Sequence, residues 1–236
     1  MSPLLGEFLG SAILILFGDG VVANVLLDRS KGQNSGWIVI SFGWAMAVFV
    51  AVFCVAPYSG AHLNPAVTLA LSMTGKFGWD QLPGYWLAQL AGTFTGAILV
   101  WLTYRGHFTK DQSPDLKLGI FCTSPAIRNA PDNFLTEGIS TFVFILAVLL
   151  IVAPDAKLGA LDALPVALLV LAVGLSLGGP TGYAINPARD LGPRLAHLLL
   201  PIPGKRDSDW GYAWVPILAP MIGAATAAFV YQILQN

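Results

Sequence analysis

Two stretches of this chain hold the residue types from which a polar passage could be built, and they are near copies of each other. Gly60-Ala61-His62-Leu63-Asn64-Pro65-Ala66-Val67 lies in the first half and Gly182-Tyr183-Ala184-Ile185-Asn186-Pro187-Ala188-Arg189-Asp190 in the second. Each Asn-Pro-Ala reads as a helix start, because Asn is a preferred N-cap and Pro is favoured at the first helical position. A capping asparagine uses its carbonyl oxygen on its own helix and keeps amide N–H groups for another acceptor. The positive end of each helix dipole lies at the same place. Such a pair can donate hydrogen bonds to a neutral solute while repelling cations. Arg189 follows three residues after Asn186. A guanidinium inside a hydrophobic segment is expensive and marks a functional site by default, against the plainer reading of a snorkelling or ion-paired arginine.

The helices these starts open are short. The apolar run from Val67 to Met73 reaches Gly75, and the run after Asn186 reaches Leu200 and Pro201. Helices of roughly 8–13 residues rise about 12–20 Å, against roughly 30 Å of bilayer hydrocarbon. The rest of the chain reads as membrane. Its 236 residues are 56% hydrophobic and 11% charged, where soluble domains carry about 25% charged residues, and the mean hydropathy is +0.70. A net charge of −1 points away from nucleic acid. No cluster of Lys or Arg suggests a polybasic lipid patch. Cys54 and Cys122 have neither metal spacing nor a disulfide framework, and Cys54 is expected to pack among apolar neighbours. The N-terminus lacks the basic region and cleavage site of a signal peptide, so the first apolar run is expected to be retained.

The elements that must position the two motifs fall into two sets. Spans are expected over Leu4–Leu27, Trp37–Ala56 (closed by Pro57) and Tyr85–Tyr104, the last with Gly92 and Gly96 in small-xxx-small spacing. A long polar loop over 105–132 follows. Spans then recur over Phe134–Ala153, Leu164–Leu177 and Trp210–Leu234, with a loop over Pro154–Asp162, and Gly223 and its neighbouring alanines are free for close packing. Each half reads span, span, half-helix, span: repeat 1 over about 1–104, repeat 2 over about 133–236, one channel domain in all. Three spans per repeat is an odd number, so the second copy enters from the opposite side, as an inverted repeat. The fold class is an all-α membrane protein of six transmembrane helices and two re-entrant half-helices that meet end to end at mid-bilayer.

Non-helical backbone at membrane depth is tolerated where it is buried in protein or lines a watery cavity. Pro57–Leu63 and Gly178–Ile185 are such stretches, and their carbonyls would form a ladder of acceptors. Glu7 and Glu137 recur in register, each in the first span of its half. Their matched placing favours carboxylates that accept hydrogen bonds from the loop N–H groups, over interfacial acids or a proton relay. His62 is expected in the pore-lining loop, since no partner spacing supports a metal site, and His107 and His197 in solvent or at an interface. No nucleophile elbow or triad context suggests an enzyme.

Ser59-Gly60-Ala61-His62-Leu63-Asn64-Pro65-Ala66-Val67-Thr68 and Thr181-Gly182-Tyr183-Ala184-Ile185-Asn186-Pro187-Ala188-Arg189-Asp190 resemble the paired signature loops of the major intrinsic proteins, the aquaporins and glycerol facilitators. The resemblance extends from Gly6-Glu7-Phe8-Leu9-Gly10 to the last span. It implies a pore in each protomer, a homotetramer in the lipid bilayer, no cofactor and no metal. It also implies a selectivity filter of Trp44, Gly174, Tyr183 and Arg189. Strict water channels usually have His where Gly174 stands, so glycine implies a wider opening with one donor fewer. Trp44 and Tyr183 imply an apolar corner for a carbon backbone. Asp190, Arg194 and the pair Pro216-Ile217 also resemble the glycerol-facilitator pattern, whereas Tyr183 stands where that subfamily more often has Phe. Asp19 departs from the family, which usually has an apolar residue there; a vestibule or a protomer interface would accommodate it.

The expected function is a passive channel for glycerol and other small neutral solutes, with water, excluding ions and protons. The alternatives are a channel mainly for water, dihydroxyacetone, urea, hydrogen peroxide or protonated lactic acid, and a proton-coupled transporter using Glu7, Asp19 or Glu137. The resemblance places both termini in the cytoplasm. The charge pattern disagrees: Lys76 and Lys157 would face inward, and Arg29, Lys31, Arg105, Lys110, Lys117, Arg128, Lys205 and Arg206 outward, the reverse of the positive-inside rule.

Overall fold

The computed structural model describes residues 1–110, 113–151 and 159–235. Its helices are α1 (Pro3–Leu26), α2 (Trp37–Ser59), α3 (Pro65–Met73), α4 (Leu82–Thr103), α5 (Arg105–Phe108), α6 (Pro114–Phe121), α7 (Ala130–Leu150), α8 (Leu164–Ser176), α9 (Pro187–Leu199) and α10 (Trp210–Gln235). There is no strand among the described residues. Helices α1, α2, α4, α7 and α10 are long and apolar enough to cross a membrane. The remaining span, α8, fifth in chain order, has 13 residues, rises about 20 Å, and is extended at its start by a 3-10 turn over Gly159–Ala163.

Side-chain placement is that of a protein in lipid. Ile38, Leu87 and Phe229 are among the most exposed large hydrophobic residues, while Glu7, Gln89, Glu137 and Arg194 have no exposure. Lipid solvates the apolar rim, and polar groups must find partners inside. Close packing then depends on small residues. A Cβ on Gly92 would lie 2.3 Å from the carbonyl oxygen of Phe8 in α1, and one on Gly223 would lie 2.5 Å from that of Gly138 in α7. These two contacts join the first and last spans of each half, α1 with α4 and α7 with α10.

The inverted repeat appears in how the halves exchange support. Helix α4 carries α9, the half-helix of the second half, and α10 carries α3, the half-helix of the first. With 9 and 13 residues, α3 and α9 rise about 14 and about 20 Å, together about one hydrocarbon thickness. Both termini sit on one face. Leu4 lies beside Gly84, Lys76 Nζ donates to Tyr231 Oη at 2.9 Å, and Gln232 Nε2 donates to the carbonyl of Met73 at 2.7 Å.

Four expectations change. Helix α2 continues past Pro57 to Ser59, where Gly60, at φ +78°, ends it in the left-handed region; Pro57 leaves the Phe53 carbonyl without its helical hydrogen bond, a local loss that does not end the helix. The 105–132 stretch is not simply a polar loop. It folds into α5 and α6, buries Leu118, Ile120 and Phe121 where α6 meets α1 and α9, and stacks the buried Phe108 of α5 on Phe121. Cys54 is exposed on the outer surface of α2. His197 has no exposure, and its Nδ1 lies 2.8 Å from Ser208 Oγ. His107 is part-buried, with Nδ1 3.0 Å from the carbonyl of Asp28. The end of the expected Phe134–Ala153 span and residues 154–158 of the following loop lie outside the described residues.

Candidate functional site

The two loops preceding the half-helices have the same unusual backbone. Gly60, Ala61 and Leu63 have φ of +78°, +51° and +52°, and Gly182, Tyr183 and Ile185 have +83°, +39° and +43°. Counted back from Asn64 and Asn186, these are the same positions. A non-glycine residue at positive φ costs energy and persists where its surroundings over-determine it. Buried carboxylates supply that constraint. Glu7 accepts from the N–H of His62 at 2.9 Å and of Leu63 at 2.7 Å, and from Ser59 Oγ and Gln89 Nε2. Glu137 accepts from the N–H of Ala184 at 3.0 Å and of Ile185 at 3.1 Å. With their N–H groups held from behind, the loops can turn carbonyls toward the lumen.

The half-helices meet through their caps. Asn64 Oδ1 accepts from Ala66 N at 2.8 Å, and Asn186 Oδ1 accepts from the N–H of Ala188 and Arg189 at 3.0 and 3.2 Å. Each amide nitrogen crosses to the other half: Asn64 Nδ2 donates to the carbonyl of Ile185, and Asn186 Nδ2 to that of Leu63, both at 2.8 Å. An amide carries two hydrogens, so this reciprocal lock uses one and leaves one on each Asn for a solute. Pro65, Ala66, Pro187 and Ala188 are all buried at this junction.

A cavity of about 200 Å³ runs past this junction. Helices α1, α2, α7 and α8 line it with apolar side chains, among them Leu14, Val48, Val52, Phe144, Val148 and Val170. The two loops and the half-helix starts bring His62, Asn64, Asn186 and Arg189. His62 is fixed in this lining, its Nδ1 3.2 Å from Thr68 Oγ1 and its ring against those of Phe77 and Tyr85.

Trp44, Tyr183 and Arg189 all line the cavity. The Arg189 guanidinium lies over the Trp44 ring, 4.2 Å from its centroid, and Nη1 donates to the carbonyl of Phe121 at 3.4 Å. Asp19 Oδ1 lies 3.4 Å from the same Nη1, and Asp19 has no exposure. Neither a vestibule nor a protomer interface therefore accounts for it; it lies behind Arg189. Gly174 also differs from its expected effect. A Cβ there would stand 3.0 Å from both Cζ and Oη of Tyr183 and 3.2 Å from Ser41 Oγ. The space that glycine vacates is filled by the Tyr183 phenol, so it does not simply widen the opening. Trp37 fixes this corner, donating from Nε1 to the carbonyl of Gly174 at 2.9 Å and meeting the Tyr183 ring edge-on.

Around α9 the charges are paired internally. Arg194 donates to Asp190 from Nε at 2.6 Å and from Nη2 at 2.9 Å, and to the carbonyls of Thr123, Ser208 and Asp209. Asp190 also accepts from the N–H and Oγ1 of Thr123. Asp190 and Arg194 thus tie the stretch after α6 to α9, and with it the Phe121 carbonyl that receives Arg189. Pro216 lies inside α10 and is buried.

The family model described as "Major intrinsic protein" matches residues 1–231. The chain belongs to the major intrinsic protein family. A member from Thermotoga maritima, named "Probable glycerol uptake facilitator protein", is 57% identical over 98% of this chain and 99% of its own. A "Glycerol uptake facilitator protein" of Streptococcus pneumoniae is 48% identical over 99% of each. A "D/L-lactic acid transporter" of Lactiplantibacillus plantarum is 42% identical over 96% of this chain and 94% of its own. The X-ray structure of the aquaglyceroporin from Plasmodium falciparum superposes with a TM-score of 0.86 at 34% identity, covering 97% of this chain and 94% of that one. Within this major intrinsic protein, sequence reasoning missed the Phe121 carbonyl, Thr123 and Ser41. The first two sit in a stretch read as loop, and Ser41 is one small polar residue in an apolar span. The apolar run Leu116 to Cys122, interrupted by Lys117 and Gly119, was the available signal for α6.

Proposed function

We propose that this protein is a passive transmembrane channel for glycerol and other small neutral solutes, with water. The observation that carries the reading is the mixed lining of the cavity: aliphatic side chains from the helices, and from the two loops backbone groups with the Asn and Arg donors. Glycerol has the same two characters, a carbon backbone and a row of hydroxyls. Its CH groups slide along Val48, Val52 and Val170 while its hydroxyls donate to loop carbonyls and accept from Asn64, Asn186 and Arg189. At the constriction, Trp44 and Tyr183 take the carbon edge and Arg189 the oxygen edge. Cations meet the N-terminal ends of α3 and α9 together, the device by which half-helix dipoles exclude charge in aquaporin-type pores. The relatives' names, two glycerol uptake facilitators among them, support glycerol as the solute. The lactic acid transporter's name adds protonated lactic acid to the solutes to be tried.

Each protomer carries its own pore in a homotetramer, with both termini in the cytoplasm. Supporting this orientation, four of the eight outward-placed cations are engaged within the protein. Lys205 Nζ donates to the carbonyls of His197, Leu198 and Leu200 at 2.5–2.8 Å, closing the C-terminus of α9. Lys117 Nζ donates to the carbonyl of Pro203 at 2.6 Å, Arg128 pairs with Asp209, and Arg206 pairs with Asp115 and Asp207. A positive-inside count treats each of these as a free charge. Protease cleavage of the 105–132 stretch in intact cells is the expected result, and cleavage only after permeabilisation refutes the orientation. The channel reading is tested by stopped-flow light scattering on proteoliposomes. Glycerol permeability should far exceed that of empty liposomes, and parity with them refutes it.

A further inference from the structure

Asp19 has no part in the pathway just described. It lies on α1 inside the protein with no exposure, and neither carboxylate oxygen has a hydrogen-bond partner among the described residues. A carboxylate at membrane depth without hydrogen bonds is costly unless a cation answers it. Asp19 Oδ1 lies 3.4 Å from Arg189 Nη1. The other charges nearby are taken. Asp190, the next residue on α9, has both oxygens engaged by Arg194 and Thr123, and Arg194 is engaged in return. The neighbouring Cys122, at the end of α6, is buried. Arg189 is thus held from three directions: Asp19 on α1, the Phe121 carbonyl, and the Trp44 ring.

We infer that Asp19 determines the charge selectivity of the constriction. It is the fixed counter-charge of Arg189, set behind the guanidinium, where it holds Nη1 against the Phe121 carbonyl and cancels the cationic charge toward the pore. The constriction then presents N–H donors without a net positive potential. Polyol hydroxyls, which need donors, are served. Small anions, which an uncompensated arginine would attract and retain, gain nothing. Because Asp19 is out of water, dissolved salt screens the pairing much less than it would a surface pair. The inference rests on the reading that Trp44, Tyr183 and Arg189 form the narrow part of a glycerol channel.

The test measures nitrate uptake and glycerol permeability on the same proteoliposomes, for wild type, Asp19→Asn and Asp19→Glu. Asp19→Asn keeps the shape and removes the charge. It should raise the nitrate-to-glycerol permeability ratio by about tenfold, the scale of an uncompensated charge in a poorly screened site. Asp19→Glu keeps the charge and should leave the ratio within about threefold of wild type. Asp19→Ala, which buries nothing needing a partner, reads the same change should the Asn variant not insert. An unchanged ratio in the uncharged variants overturns the inference. An equal rise in Asp19→Glu also overturns it, because packing and not charge would then be the cause. Absence of glycerol flux in the wild type refutes the channel reading instead.

Discussion

Replacing Gly174 by alanine tests the proposed constriction with a single methyl group. The added Cβ would stand 3.0 Å from Cζ and from Oη of Tyr183, against an optimum of about 3.5–4.0 Å between carbons. The ring must therefore move by roughly 0.5–1 Å. Gly178, just beyond α8 and one turn from Gly174, already abuts the same ring, where a Cβ would be 2.3 Å from Tyr183 Cδ1, and Trp37 closes its edge. The ring is therefore pushed away from α8, and Tyr183 lines the cavity. Overpacking of this kind costs about 1–3 kcal/mol. If about 1.4 kcal/mol of that falls on the solute at the constriction, glycerol permeability drops about tenfold. Water, which needs less width and no carbon contact, should change by less than about twofold. Stopped-flow scattering on one preparation reads both. Combining Gly174→Ala with Tyr183→Phe removes the Oη contact and should recover part of the glycerol flux, as expected of two residues in contact. Equal losses for water and glycerol, or strictly additive effects in the double variant, would refute the packing argument.

Two further substitutions separate support from selection. Glu137→Gln weakens the charge-assisted acceptance of the Ala184 and Ile185 N–H groups, at about 1.5–3 kcal/mol per bond to a charged group. The melting temperature in detergent should fall, with water and glycerol flux declining together; a shifted flux ratio at unchanged melting temperature would contradict the loop-support role. Arg194→Lys keeps the charge but loses the fork that grips Asp190 and three carbonyls. Each hydrogen bond to a charged group lost this way costs about 1.5–3 kcal/mol, so thermal denaturation should show a large loss, and a change within measurement error would refute the pairing argument.

Much of the architecture was readable because membrane spans are written locally. A run of apolar residues long enough to cross lipid must be helical, since every backbone group has to be satisfied within the segment. The ends of α1, α4 and α8 accordingly fall close to the apolar runs. The half-helices were legible for another local reason: Asn-Pro is a cap and a first turn in two letters. The matched glutamates were legible because the repeat puts them in register. Helix α6 was not, because its eight residues are too short to span and become a packed element only when α1 and α9 cover them. Cys54 and His197 were misplaced for a related reason. Apolar neighbours along a span do not tell which side meets lipid, and a histidine near a helix end is buried only if a distant segment, here Ser208, returns to meet it.

Composition, span lengths and the doubled Asn-Pro-Ala determined by themselves that the chain is a membrane protein built as an inverted repeat around two opposed half-helices. These properties follow from lipid's demand on the backbone and from capping chemistry, both of which act within a few residues. The tertiary structure decided what the motif residues do to one another. It spent one amide hydrogen of each Asn on the opposite loop, filled the space at Gly174 with the Tyr183 ring, and put Asp19 behind Arg189. The first and the last of these join groups more than 100 residues apart in the chain. Their distances depend on how six spans pack, and that depends on every side chain between them.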